Sequence, residues 1–151
     1  MMLSQLFPDQ SLSRDVRLLG LADDSRKVQA GYLFCACPGD TVDGRQFMAA
    51  AVAAGAVALA CEPPAPADAD GEFNVPVVEV ENLRHQLGSI AATFYGEPSQ
   101  KLQVIAVTGT NGKTSFTHFL AQALNATGER CGGMGTMGYV PPGSLTPLPL
   151  T

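Results

Sequence analysis

A glycine-rich segment that ends in lysine, threonine and serine carries the strongest chemical signal in the chain. It reads Gly109-Thr110-Asn111-Gly112-Lys113-Thr114-Ser115. Glycine followed by lysine and a hydroxyl residue is the core of a phosphate-binding loop, in which backbone N–H groups surround an anion. The general pattern has a further glycine where this chain has Val107, so the segment matches a shorter variant. A plain strand-to-helix turn with an exposed lysine is the alternative interpretation.

The residue types of this loop fit a nucleoside triphosphate and its metal ion. Gly109 and Gly112 permit positive φ, which turns successive N–H groups toward one point. A helix that begins at Lys113 would direct its free N–H groups and its positive dipole end to the same point. We therefore expect every residue from Gly109 to Ser115 to bind ATP, with Lys113 as the catalytic cation. The Thr114 hydroxyl would be a ligand of Mg²⁺.

Two elements must hold this loop in place, a strand before it and a helix after it. The apolar run Leu102–Val107 predicts the strand. The spacing of apolar residues predicts a helix over 113–127, with an inward face made of Phe116, Phe119, Leu120, Ala123 and Leu124. Only a glycine-rich stretch and a proline-rich tail follow, and a parallel sheet needs more crossovers than that to cover its faces. We expect this second unit to be incomplete.

The residues before the loop predict a compact unit of alternating strands and helices. Three apolar runs predict buried strands, at 32–37, 56–61 and 75–80. Helical spacing of apolar residues predicts one helix that ends at Gly55 and another that follows Asn82, whose side chain would cap it. These elements indicate a mixed-sheet α/β domain.

The fold class predicted for the whole chain is therefore α/β, in two parts. Residues 1–98 form the first domain, and residues 99–151 form the truncated start of a phosphate-loop domain. The turn-forming pair Gly96 and Pro98 marks the boundary, because both residues end helices.

Composition and charge exclude several classes of function. Hydrophobic residues make up 46% and charged residues 15% of the chain, so it can bury a core. The net charge of −5 argues against a nucleic-acid partner, which requires basic residues to replace phosphate counterions. The N-terminus lacks a basic segment followed by a long apolar run, and the apolar stretch 47–61 is too short and interrupted to span a bilayer. We expect a cytoplasmic protein with no membrane partner.

The cysteines favour packing over metal binding. Cys35-Ala36-Cys37 lies in an apolar run, and no second close pair or nearby histidine completes a tetrahedral ligand set. We interpret Cys35 and Cys37 as small apolar side chains, and nothing about the four cysteines, which include Cys61 and Cys131, requires an oxidising compartment.

Three groups of residues resemble one family of ligases. The loop at 109–114 is similar to those of Mur ligases, folylpolyglutamate synthetases and cyanophycin synthetases, which share ATP-dependent amide formation. The segment Phe94–Ser99 resembles the junction between the first two domains of the UDP-MurNAc-tripeptide synthetases, a branch of the Mur ligases. The remaining matches resemble the uridine-nucleotide-binding domain of those enzymes: Asp24-Ser25-Arg26, Gly31, Leu33-Phe34, Gly39 and Asp43-Gly44-Arg45.

The resemblance implies a second set of binding residues, for UDP-MurNAc-dipeptide. These residues are Ser25, Asp40, Thr41, Val42 and Thr151. Asp40 stands where the family often has histidine, and a carboxylate would repel a pyrophosphate. A plain turn serine at Ser25, and a plain turn at Asp43-Gly44, are the alternatives to a binding role.

The resemblance also implies a reaction in peptidoglycan synthesis, and hence in cell-wall biogenesis, cell shape and division. A diamino acid, meso-diaminopimelate or L-lysine, would be joined to UDP-MurNAc-L-Ala-D-Glu through an acyl phosphate. The partners would be these small molecules, and the protein would be a monomer. The chain lacks the later catalytic groups of the family, so we expect it to be inactive alone.

Two other functions remain open from the sequence. One is a nucleotide-sugar-binding module without catalysis. The other is the related ligase that adds D-Ala-D-Ala, which typically carries Gly-Ser-Asn where this chain has Gly109-Thr110-Asn111.

Overall fold

The structure is a computed structural model that describes residues 1–39, 42–66, 73–136 and 138–144. The chain divides into two compact units, Met1–Leu102 and Gln103–Thr151. The first unit contains strands β1 (Gly20–Ala22), β2 (Tyr32–Ala36), β3 (Ala58–Cys61) and β4 (Val77–Glu79), with helices α1 (Leu3–Leu6), α2 (Met48–Ala53) and α3 (Leu83–Phe94).

The strands of the first unit form one sheet in the order β1-β2-β3-β4, and each neighbouring pair is parallel. The α/β class is confirmed, although the described strands of this sheet are all parallel where a mixed sheet was predicted. Every residue of β3 and all but the first of β2 are buried, which is typical of parallel strands covered on both faces. Parallel strands end at one edge, so the loops after β1, β2 and β3 are neighbours there.

Side chains of β2 alternate between two hydrophobic clusters, because successive residues of a strand point to opposite faces. Leu33 and Cys35 belong to the cluster that contains residues of α1 and α3. Phe34 and Ala36 belong to the cluster that contains Met48 and Ala51 of α2. Helices therefore cover both faces of the sheet, as the alternating pattern of strands and helices requires.

The helix ends of the first unit confirm one prediction and correct another. Gly55 follows α2 with φ +106°, the left-handed conformation that ends many helices. Asn82 precedes α3 as predicted, but its side chain makes no capping hydrogen bond and its φ is +50°. The predicted cap is wrong because a capping side chain requires extended backbone, whereas Asn82 is left-handed.

The second unit contains helix α4 (Lys113–Ala126) and an antiparallel pair, β5 (Gly133–Gly135) and β6 (Gly138–Val140). The predicted helix after the loop is confirmed. The predicted strand over 102–107 is wrong, since these residues, all of them described, belong to no strand, and Val104 is 73% exposed. A strand requires a hydrogen-bonded neighbour, and β5 and β6 pair only with each other in the described part of the unit.

The predicted inward face of α4 is also wrong for this structure. Phe116 and Phe119 are 54% and 67% exposed, and no residue of the helix is buried. The apolar spacing is present, but no sheet within the described second unit packs on it.

The packing role predicted for Cys35 and Cys37 fits the structure, in which Cys35 is fully buried and Cys37 partly so. Cys35 and Cys61 are buried, Cys37 and Cys131 are half-buried, and all four are free. Burial raises the pKa of the Cys35 thiol to about 12 and that of Cys37 to about 11, so both remain protonated at neutral pH. In the part of the chain that the structure describes, no three His, Cys, Asp or Glu residues group as a metal site.

No helix among the described residues combines the length and the apolar composition needed to cross a membrane.

Candidate functional site

The loop between Val107 and α4 has the backbone shape of an anion cradle. Gly109 and Gly112 have φ values of +149° and +77°, so both predicted positive-φ positions are confirmed. Helix α4 begins directly after Gly112, which places its free N–H groups and its positive dipole end at the loop. A Cβ built on Gly112 meets nothing within 4 Å, so the space on that side of Gly112 is open.

Lys113 supplies the positive charge of this cradle. Its Nζ donates hydrogen bonds to the carbonyl oxygens of Gly109 and Thr110, the latter at 3.5 Å. The ammonium group therefore lies over the loop, where a phosphate group would replace carbonyl oxygens as its acceptor. Thr114 and Ser115 follow on the first helical turn and are exposed, as are Thr110 and Asn111.

A cleft of about 520 Å³ within the second unit adjoins the loop. Lys113, Thr114 and Ser115 line it from the helix, and Gly135 and Thr136 line it from the hairpin. Val107 and Phe119 contribute apolar surface. The cleft brings the loop and the hairpin together, which the sequence did not predict.

The cleft also contains a residue that the sequence reasoning missed, His118. Its Nε2 lies 2.9 Å from the side-chain nitrogen of Gln122. His118 is four residues after Thr114, and residues at that spacing share a helix face, so helical spacing was the signal available.

The residues predicted to bind a UDP-sugar lie in the first unit where the structure describes them. Ser25 starts a 3-10 turn, Ser25–Lys27, just after β1. Val42 is 46% exposed and lies in the turn between β2 and α2. Asp40, Thr41 and Thr151 lie outside the described residues.

The positions of Ser25 and Val42 are consistent with one site at the carboxyl edge of the parallel sheet. A second 3-10 turn, Gly44–Phe47, follows Val42 and runs directly into α2, and the Ser25–Lys27 turn packs against the same helix. Ligands of open parallel sheets bind outside the carboxyl ends of the strands.

The turns after β1 and β2 each contain an Asp-x-Arg ring, in which an aspartate carboxylate accepts hydrogen bonds from the backbone and side chain of the arginine two residues later. Asp24 accepts hydrogen bonds from the backbone N of Arg26 at 3.0 Å and from its Nη2 at 2.7 Å. Asp43 accepts the same pair of bonds from Arg45, at 2.9 and 2.6 Å. In each case the aspartate caps the turn and also pairs with the guanidinium, so the plain-turn interpretation of these segments accounts for their local geometry.

The rings keep both carboxylates ionised. Hydrogen bonds from the Arg26 side chain lower the pKa of Asp24 to about 2. Hydrogen bonds from the Arg45 side chain also lower the pKa of Asp43 below its ordinary value. Because each negative charge is paired inside its own turn, neither aspartate leaves an uncompensated charge at the carboxyl edge.

The chain combines a parallel α/β domain with a glycine-rich loop at a helix N-terminus, a class of architecture whose loop geometry is suited to holding an anion. The model of the Mur ligase family, catalytic domain, matches residues 19–95, which is about half of the chain. The chain belongs to the Mur ligase family. The matched residues lie in the first unit, and the phosphate loop follows them.

A curated relative supports the same family over nearly the whole chain. The UDP-N-acetylmuramoyl-L-alanyl-D-glutamate–2,6-diaminopimelate ligase of Xanthomonas campestris pv. campestris strain 8004 is 48% identical, over 99% of this chain and 31% of the relative. The chain therefore spans about a third of the length of this relative.

Solved structures of ligases share the fold. A structure of a UDP-N-acetylmuramoyl-L-alanyl-D-glutamate–2,6-diaminopimelate ligase has a TM-score of 0.70 and 28% identity, and the match covers 97% of this chain and 30% of that one. The D-alanyl-D-alanyl ligase of Acinetobacter baumannii has a TM-score of 0.58 and 29% identity, and the match covers 80% of this chain and 25% of that one. The MurF ligase of Thermotoga maritima, solved in complex with ADP, has a TM-score of 0.53 and 26% identity. That match covers 73% of this chain and 23% of the MurF chain.

Proposed function

We propose that this chain supplies the UDP-sugar-binding and ATP-binding parts of a ligase that joins a diamino acid to UDP-MurNAc-L-Ala-D-Glu. The observation that carries the proposal is the open phosphate cradle of Gly109, Gly112 and Lys113, in a chain 48% identical to a diaminopimelate ligase. The diamino acid is diaminopimelate in that relative, and L-lysine is the other candidate. The proposal includes a monomeric protein in the cytoplasm.

The two domains divide this work in the proposal. Residues 1–98 bind the UDP-sugar through Ser25, Asp40, Thr41 and Val42, and Thr151 of the second domain contributes to the same substrate. Residues 99–151 begin the ATP-binding domain. The partial exposure of Ser25 and the exposure of Val42 near one edge of the sheet support the first assignment, because a small molecule reaches both residues without displacing core.

Each part of the loop has a separate role toward ATP. The N–H groups of the loop and of the first turn of α4 bind the phosphates, and Lys113 neutralises charge that develops as the γ-phosphoryl group transfers. The Lys113 Nζ reaches the phosphates by exchanging its bonds to Gly109 and Thr110 for bonds to phosphate oxygens. The loop thus positions the phosphoryl group and lowers repulsion between two anionic substrates.

The residues present fit a magnesium ion at the loop. Mg²⁺ prefers oxygen ligands and usually keeps several waters, and the exposed Thr114 hydroxyl on the first helical turn meets that requirement. When bound, the ion offsets charge on the β- and γ-phosphates.

The proposed reaction proceeds in two steps. A carboxylate oxygen of D-Glu attacks the γ-phosphorus of ATP, and ADP leaves. The amine of the diamino acid then attacks the acyl carbon, a proton is lost, and inorganic phosphate leaves. Both steps are mainly matters of positioning and charge stabilisation.

The proposal is tested by phosphate release in a full-length ligase that contains this chain. We expect release only when ATP, Mg²⁺, UDP-MurNAc-L-Ala-D-Glu and diaminopimelate are all present. Release with D-Ala-D-Ala and a UDP-tripeptide instead would assign the related ligase. Binding of the UDP-sugar without any release would reduce the function to a binding module. The TM-score of 0.70 against 0.58 favours the diaminopimelate ligase over the D-alanyl-D-alanyl ligase.

A further inference from the structure

Arg45 connects two loops at the carboxyl edge of the sheet. Its Nε and Nη2 donate to the Asp43 carboxylate, at 2.9 and 2.6 Å. Its Nη1 donates to the carbonyl oxygen of Pro64 at 3.3 Å. Pro64 lies in the loop after β3, so one guanidinium group joins that loop to the turn after β2.

The loop after β3 is also held from its other side. The backbone N of Ala65 donates to Glu79 Oε1 at 2.6 Å, and Glu79 is the last residue of β4. Neighbouring residues of this loop, Pro64 and Ala65, are therefore bound by a cation and by an anion that come from opposite sides. These bonds hold Pro64 and Ala65 between the turn after β2 and the end of β4.

The turn that carries Arg45 is itself seated on β2. Gly44 donates its N–H to the carbonyl oxygen of Cys37 at 3.0 Å, and Pro38 and Asp43 form an antiparallel bridge. A Cβ added to Gly44 would collide with backbone atoms of Ala36 and Cys37. The Arg45 side chain thus extends from a turn that is hydrogen-bonded to, and lies close against, the end of β2.

Arg26 shows that the ring alone does not produce this connection. Its side chain is 87% exposed, against 37% for Arg45. Its side-chain hydrogen bonds within the described residues all go to Asp24. The same Asp-x-Arg ring therefore stabilises only its own turn at Arg26, whereas at Arg45 it also connects two loops by a hydrogen bond.

We propose that Arg45 is a positioning residue for the UDP-sugar, which holds the turn containing Val42 and the loop containing Pro64 in register as two walls of one subsite. This inference rests on the proposed function. Planar guanidinium geometry is essential to it, because one group must satisfy a carboxylate on one side and a carbonyl on another. Lysine, as a single point charge, cannot hold both partners at these distances.

The test measures the affinity of a full-length ligase containing this chain for UDP-MurNAc-L-Ala-D-Glu and, separately, for ATP, by calorimetry. Arg45→Ala and Arg45→Lys should each weaken UDP-sugar binding about 10-fold, the effect of losing one hydrogen bond to a charged group. Affinity for ATP and kcat at saturating UDP-sugar should stay within about 2-fold, because the phosphate loop belongs to the other unit.

Arg14 provides the matched control. Its Nη2 donates to the carbonyl oxygen of Asn74 at 2.8 Å, so it makes the same kind of tie before β4, at the amino end of that strand. Arg14→Ala should lower the melting temperature about as much as Arg45→Ala and leave UDP-sugar affinity unchanged. If Arg14→Ala weakens UDP-sugar binding equally, Arg45 has only a general structural role and the inference is wrong.

Two further outcomes keep the inference separate from the proposed function. If Arg45→Ala does not fold, Arg45→Lys and Glu79→Ala carry the test, since the Glu79 carboxylate accepts the hydrogen bond from Ala65 on the other side of the loop and its loss should also weaken UDP-sugar binding. Wild-type affinity in both Arg45 variants overturns the inference. A wild-type ligase that binds no UDP-sugar overturns the proposed function instead.

Discussion

Phe34 and Phe119 are the same residue type in opposite surroundings. Phe34 lies on β2 in the first unit and is 1% exposed, whereas Phe119 lies on α4 in the second unit and is 67% exposed. Both sit in apolar patterns that predict burial. Every buried hydrophobic residue in the described part of the chain falls between Leu3 and Ile90, in the first unit.

The difference between the two phenylalanines shows that a local apolar pattern specifies where a helix or strand forms more readily than it specifies whether that element is buried. Helix α4 forms with the predicted start, and the loop before it has the predicted backbone conformation. Neither requires more than local sequence. Burial requires a second surface, and the first unit has four paired strands and helices on both faces to provide one.

The largest expected effect compares these two phenylalanines directly. Phe34→Ala should lower the free energy of unfolding of the first unit by about 3–5 kcal/mol, because it leaves a cavity in a packed core. Phe119→Ala should change the stability of the second unit by less than about 0.5 kcal/mol, as an exposed substitution does. Urea titration followed by NMR signals of β2 and α4 separately would measure both. A cost above about 2 kcal/mol for Phe119→Ala would show that the α4 face is covered in solution.

The second prediction concerns catalysis, which the proposed function assigns to the phosphate loop of the second unit. Lys113→Ala in a full-length ligase should reduce kcat by about 100-fold or more, since it removes a preorganised charge from the transferring phosphoryl group. The measurement is phosphate release at saturating ATP. Lys101→Ala is the control, an exposed lysine outside the loop, and should retain near-normal turnover. Equal turnover in both variants would remove Lys113 from the mechanism.

The third prediction contrasts two glycines that are required for different reasons. Gly44→Ala should cost about 1–3 kcal/mol, because its Cβ meets the backbone of β2. Gly112→Ala has open space around it but a φ of +77°, so it should cost about 1–2 kcal/mol of backbone strain. Asparagine tolerates that φ, so Gly112→Asn should be milder than Gly112→Ala, whereas Gly44→Asn should not be milder than Gly44→Ala. Thermal unfolding of the four variants would measure these costs. A Gly112→Asn variant less stable than Gly112→Ala would contradict the prediction.

The smallest expected effect is a titration in the first unit. The Asp24 carboxyl should titrate near pH 2, below its ordinary value of 3.8, because Arg26 donates to its ionised form. Its contribution to stability is therefore present above pH 3.8 and is lost as the pH falls toward 2. Carbon-detected NMR would follow the carboxyl group directly. In Arg26→Gln the pKa should rise toward 3.8, and an unchanged pKa would mean that another group lowers it.

Local chemistry in the sequence determined several parts of this protein. The positive φ of Gly109 and Gly112, the start of α4 at Lys113 and the left-handed Gly55 shortly after α2 follow from residue type and nearest neighbours. The buried strands β2 and β3 follow from continuous apolar runs. These features were predictable because their energies come from residues close in the sequence.

Tertiary structure alone decided the rest. Strand formation over 102–107 and burial of Phe116 and Phe119 both depend on partner strands far away in the chain. The role of Arg45 likewise depends on a distant residue, Pro64. Arg26 and Arg45 occupy the same Asp-x-Arg pattern, and only the loop after β3 distinguishes them. Long-range pairs such as Arg45 with Pro64 leave no trace in a local pattern, because the energy of each contact depends on a neighbour that only the folded sheet brings into reach.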